Sequence, residues 1–98
     1  MITFAVTYHY ANDPTRLDEH RPSHREFLGG LQERGTIIAS GPYTDTEGAR
    51  ALLLVEAADV AAVESALEDD PFRREGLIAE REIHTWNVVI GSLGSLGS

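Results

Sequence analysis

The chain has 98 residues, 42% hydrophobic and 24% charged, which is the make-up of one globular domain and not of a disordered or fibrous chain. Its net charge of −8 opposes binding to nucleic acid or to an anionic membrane, since both require a basic face. There is no cysteine and every basic residue is arginine, which excludes thiol nucleophiles, disulfides, thiolate metal sites and lysine Schiff bases.

Any chemistry must therefore come from His, Asp, Glu, Ser, Thr, Tyr or Arg. No apolar run approaches the ~18 residues of a membrane span, and a cytoplasmic location is expected.

From Ile2 to Tyr10 apolar and polar residues alternate, with Ile2, Phe4, Val6, Tyr8 and Tyr10 on one face, as in a β-strand. Asn12-Asp13-Pro14 reads as a turn, and residues 11–19 as a loop. Pro22 suits the first turn of a helix. From it His24, Phe27, Leu28 and Leu31 follow at i, i+3, i+4 and i+7, an inward stripe whose first member is an imidazole. Gly35 supplies the left-handed cap.

Thr36 to Ser40 is a short strand ended by Gly41-Pro42. Ala51 to Glu56, ALLLVE, has no wet face and reads as a strand covered on both sides. Asp59 caps a second helix from Val60 to about Asp69, burying Val60, Val63, Ala66 and Leu67. Asp70-Pro71 stops it, because proline forces the preceding residue into an extended conformation. A helical turn through Phe72 to Glu75, capped by Gly76, follows, and then a last strand from Glu82 to Ile90.

The order β-α-β-β-α-β predicts an α+β, ferredoxin-like antiparallel sheet with two helices on one face, over residues 1–90. Residues 91–98, GSLGSLGS, read as a flexible Gly/Ser/Leu tail. Two helices cover only one face of such a sheet, and an apolar second face calls for a partner. A second copy burying about 800 Å² per chain would meet the need, stacking two sheets into a barrel.

His24 has two readings, a hydrogen-bonded structural histidine or a general acid/base. Asp70 likewise either caps backbone N–H groups or meets His24 and orients its imidazole; the topology permits that contact without requiring it. Arg21 holds a ligand anion or is a surface arginine. The backbone of Ser40, Gly41 and Pro42 either approaches a ligand closely or only ends a strand. Tyr8 and Phe72 wall a pocket or pack the core. His20 and His24 have a zinc-like spacing, but Pro22 lies between them and no glutamate follows the first histidine; no metal and no cofactor are expected.

Phe4-x-Val6-x-Tyr8, Arg21-Pro22-Ser23-His24 with Phe27-Leu28, Ser40-Gly41-Pro42, and Asp70-Pro71-Phe72 with Gly76-Leu77 together resemble the YCII-related (YciI-like) family, from Met1 to Val89. The resemblance implies a dimeric α/β barrel, akin to muconolactone isomerase and the small antibiotic-biosynthesis monooxygenases. It also implies a His–Asp pair in a cleft, here His24 and Asp70. One related enzyme line removes chloride from chlorinated hydroxyhydroquinones without a cofactor. A cofactor-independent lyase or isomerase acting on a small polar or aromatic molecule is thus expected; a non-catalytic, ligand-binding or accessory homodimer is the alternative.

Overall fold

The computed structural model describes residues 1–91; the tail from residue 92 onward lies outside them. In chain order the elements are β1 (Ile2–Tyr10), α1 (Pro14–Glu33), β2 (Ile37–Pro42), β3 (Arg50–Ala57), α2 (Val60–Leu67), α3 (Pro71–Arg74) and β4 (Ile78–Thr85). The strands form one antiparallel sheet in the order β2-β3-β1-β4, the ferredoxin-like arrangement.

One face of the sheet carries the core. Phe4, Val6 and Tyr8 of β1 pair with Val55, Leu53 and Ala51 of β3, and all six are buried with Leu28 and Leu31 of α1 and Val63 and Leu67 of α2. A second cluster at one end joins Leu17, Phe72 and Leu77, with Tyr10, Ala11 and Ile78 packed against it.

The other face is less apolar than the sequence pattern implies. Register puts Thr3, Ala5, Thr7 and His9 there, beside Leu52, Leu54 and Glu56 of β3 and Glu80, Glu82 and His84 of β4. The β1 aromatics all point the opposite way, so the apolar part of this face comes down to Leu52, Leu54 and small neighbours.

Several boundaries differ from expectation. Helix α1 begins at Pro14, not near Pro22, so residues 14–19 are helix and not loop. Asp13 is its N-cap, accepting the Arg16 N–H at 3.2 Å, with Pro14 at the first position. Pro22 lies in the helix interior, where it cannot donate to the Asp18 carbonyl. Both residues are exposed, so water can take that carbonyl. The helix ends in a Schellman motif: Thr36 N–H reaches the Leu31 carbonyl, Gly35 N–H reaches that of Gln32, and Gly35 has φ of 80°.

Strand β4 starts four residues before the expected Glu82 and ends at Thr85, leaving Trp86, Val88 and Ile90 outside it. The reason is Arg81, which stands opposite Tyr8 on the core face and lays an aliphatic stem where the pattern calls for an apolar residue. A register shift between His9 and Tyr10 blurs the alternation further. At the N-terminus of α2, Val60 is 45% exposed instead of buried, because the first residue of a helix projects past the layer it packs on.

Candidate functional site

Two local rules bring an imidazole and a carboxylate together. On α1 the buried stripe is Leu17, His24, Leu28 and Leu31, so the helix period alone turns His24 inward. Asp70 is the N-cap of α3: Pro71 holds it extended, with ψ of 126°, and its Oδ1 accepts the Phe72 N–H at 3.0 Å. Helices α1 and α3 pack together, which sets the cap carboxylate against the stripe.

The His24 Nδ1 lies 2.8 Å from Asp70 Oδ1 and 2.9 Å from Oδ2. An ionised carboxylate only accepts, so Nδ1–H is the donor and the neutral ring is the Nδ1–H tautomer. Asp70 is fully enclosed, and 8% of the His24 side chain remains exposed. The second ring nitrogen, Nε2, has no hydrogen-bond partner among the described residues and is not sealed from solvent. Phe72 stacks on the imidazole, with centroids 3.9 Å apart and planes 8° from parallel. Tyr10 meets both rings edge-on, at 6.4 Å from His24 and 5.4 Å from Phe72. The imidazole is therefore clamped by a carboxylate at one nitrogen and by aromatic rings on its flanks, with the other nitrogen free.

Arg21 is partly buried on the same helix and pairs with Asp18. Its charge, with that of Arg25, reaches the Tyr10 phenol. Phe72 is at the pair, as the imidazole's stacking partner. Tyr8, expected to wall a pocket, is instead fully enclosed beneath the helices, because its strand position faces the middle of the core. Ser40, Gly41 and Pro42 continue the exposed edge strand β2 rather than ending it, pairing with Leu53, Leu52 and Ala51. They make no hydrogen bond to His24 or Asp70. The groove along α1, of about 410 Å³, is lined by Ser23, Glu26, Phe27, Gly30 and Arg34 and contains neither member of the pair.

The other histidines turn to carboxylates of their own: His9 to Glu82 at 3.1 Å, His20 to Glu75 at 3.7 Å and His84 to Glu82 at 3.8 Å. The hydrogen bond with His9 holds the Glu82 carboxyl below its usual range. Among the described residues no three His, Asp or Glu side chains converge as a metal site. No helix there is long and apolar enough to cross a membrane.

Tyr10, which the sequence does not distinguish from Tyr8, is the aromatic nearer the imidazole. Its phenol is pushed up to about 12, first by burial and then by the Asp70 charge; the Tyr8 phenol is raised further by the same two causes. Both therefore keep their protons in the fold above the pH, near 10, at which they ionise in the unfolded chain. The stability this confers is complete below pH 10 and is lost as pH rises above it. For a fully protected phenol such as Tyr8 the slope is about 1.4 kcal/mol per pH unit, and the more exposed Tyr10 adds less. Urea midpoints measured from pH 9 to 11.5 are expected to fall steadily, and less steeply in Tyr10→Phe. A flat profile contradicts this.

The fold and this pair define an α+β, ferredoxin-like domain with a buried histidine held by a carboxylate at one ring nitrogen. More narrowly, the chain belongs to the YCII-related domain family, whose model matches residues 1–87. No curated protein sequence matches it. Among solved structures it is similar to the 5-chloro-2-hydroxyhydroquinone dehydrochlorinase TftG of Burkholderia phenoliruptrix AC1100, in complex with 2,5-dihydroxybenzoquinone. That likeness has 23% identity and a TM-score of 0.74, over 88% of this chain and 94% of that one. It is also similar to an antibiotic biosynthesis monooxygenase (15% identity, TM-score 0.58, 92% and 100% covered). A conserved protein of Methanosarcina mazei Go1 matches at 18% identity and TM-score 0.55, with 88% and 92% covered. At these identities the likeness establishes the fold.

Proposed function

We propose that this protein is a small, cytoplasmic, cofactor-independent lyase or isomerase in which His24 and Asp70 act as a general acid–base pair on a hydroxylated or halogenated aromatic molecule. The observation that carries this reading is the contact of Nδ1 with Asp70, which leaves Nε2 unprotonated and without a protein partner among the described residues. In that state Nε2 takes a proton from the substrate, and the electron pair released either expels a leaving group such as chloride or moves along the ring. The imidazolium then returns the proton to product or solvent. Arg21 would hold an anionic oxygen of the substrate. Phe72 covers one face of the imidazole and keeps it in place. The dehydrochlorinase likeness favours an aromatic substrate.

The chain is further proposed to work as a homodimer through Leu52, Leu54 and their neighbours on the open sheet face, which would leave a ligand-binding dimer as the reading if catalysis fails. The test is a screen of chlorinated and hydroxylated aromatics with the parent protein and His24→Ala, both samples also being weighed by sedimentation. A loss of ~10²–10⁴-fold in turnover is expected on removing His24. Equal turnover by the variant overturns the acid–base role, and a one-chain mass at micromolar concentration overturns the dimer.

A further inference from the structure

The face of the sheet turned away from the helices carries charges in ordered rows. Along β3 the residues on this face are Arg50, Leu52, Leu54 and Glu56, opposite His9, Thr7, Ala5 and Thr3 of β1. Across β1 the rows continue into β4, with Glu80 opposite His9, Glu82 opposite Thr7 and His84 opposite Ala5. Glu82 meets the His9 ring at 3.1 Å, whereas His84 lies 3.8 Å from Glu82 with 72% of its side chain exposed. Arg50 and Glu56 have no ion-pair partner among the described residues. Nor can they meet each other, because six residues along a strand span about 20 Å.

Two copies stacked on this face are related by a twofold axis that runs either along the strands or across them, since an isologous contact turns one patch onto itself. An axis along the strands lays the β3 side of one sheet over the β4 side of the other. Leu52 then falls on the partner's Glu82 and Leu54 on the partner's His84, which buries polar groups against leucine. An axis across the strands, between the Thr7 and Ala5 rows, reverses each strand over its own copy. Leu52 then meets the partner's Leu54, Arg50 the partner's Glu56, and Glu82 the partner's His84. The leucines cover each other, and the charges without partners in the chain find opposite ones. Stacked sheets lie about 10 Å apart with strands within about 30° of each other, a gap that facing arginine and glutamate side chains bridge.

We propose that the open face is a self-complementary interface for a second copy of this chain, with its twofold axis across the strands and Arg50 of each chain paired to the partner's Glu56 around a Leu52–Leu54 centre. This rests on the homodimer reading and deepens it, by fixing how the two copies are oriented. The pairing is reciprocal, so each dimer holds two Arg50–Glu56 contacts, one at either end of the leucine centre.

The test is sedimentation and native mass spectrometry of the parent, Arg50→Glu, Glu56→Arg, the double variant, and an equimolar mixture of the two single variants. Each single reversal sets like charges together at both ends of the interface and is expected to weaken the dimer about tenfold or more; the double variant is expected to recover it. In the mixture the acidic chain complements the basic one, so mixed dimers form although neither variant dimerises well alone. Because Arg50 and Glu56 are too far apart to pair within one chain, recovery on mixing reports a contact between chains. The other axis sets Arg50 against the partner's Glu80 instead. Recovery by Arg50→Glu with Glu80→Arg, or a mixture without mixed dimers, therefore overturns the proposal. If a reversal unfolds the chain, Arg50→Gln and Glu56→Gln replace it: each is expected to weaken the dimer and their combination no further than either alone, and additive losses overturn the pairing. Single variants that dimerise like the parent overturn the pairing and leave the dimer standing. A parent of one-chain mass overturns the homodimer reading and the pairing together.

Discussion

Replacing Asp70 with alanine is expected to lower the unfolding free energy by about 3–5 kcal/mol, the range for breaking a buried charged pair by removing one partner. The carboxylate is fully enclosed and serves two groups at once, the His24 Nδ1–H and the Phe72 N–H. Loss of a helix cap alone costs about 1 kcal/mol. The two losses do not simply add, since the same Oδ1 makes both bonds. Against a total stability of about 5–15 kcal/mol for a domain, this is a large fraction. Asp70→Asn keeps the shape and an acceptor oxygen, so its cost should be well under half as great. Urea unfolding of the two variants separates cap from charge: equal losses would mean that the ionised form contributes nothing.

The second large effect is expected at Phe72. Its ring is buried between Leu17 and Leu77 in the smaller of the two apolar clusters, and it stacks on the imidazole. Truncation to alanine should cost about 3–5 kcal/mol from lost burial and the cavity left behind, the upper part of that range reflecting a ring contact worth roughly 0.5–1.5 kcal/mol. Phe72→Leu, which refills most of the space, should cost much less. Because Phe72 covers one face of His24, the alanine variant should also expose the ring, seen as faster reaction of His24 with diethyl pyrocarbonate than in the parent protein. A loss below 1 kcal/mol with unchanged reactivity would show that the stacked arrangement does not exist in solution.

Where the fold departs from the sequence pattern, each departure has a local physical cause. Asp13-Pro14 and the segment around Pro22 both look like a helix start, because proline at the first helical position and proline inside a solvent-facing turn present the same residue to the eye. Nothing in the sequence says that water can take the stranded Asp18 carbonyl. The start of strand β4 is hidden in the pattern because Arg81 fills a core-facing position with a charged side chain. Tyr8 and Tyr10 share one stripe of one strand, so periodicity cannot tell which is enclosed and which lies beside the imidazole.

By itself the sequence determined what depends on neighbours a few positions apart. The alternation of β1 and the run of β3, the cap of α2 at Asp59, the glycine stops at Gly35 and Gly76, and the inward aim of His24 on its helix stripe all follow from periods of two or 3.6 and from backbone rules. The absence of cysteine and lysine settled equally early which chemistries were open. Only the tertiary structure decided that His24 and Asp70, 46 positions apart, lie in hydrogen-bond contact, that Phe72 covers the ring, and that Tyr8 and Arg81 end up enclosed with unpaired donors. Those facts depend on how α3 docks against α1 and on the register of β1 with β4. Long-range packing of this kind is set by the whole core at once, and no window of the chain contains it.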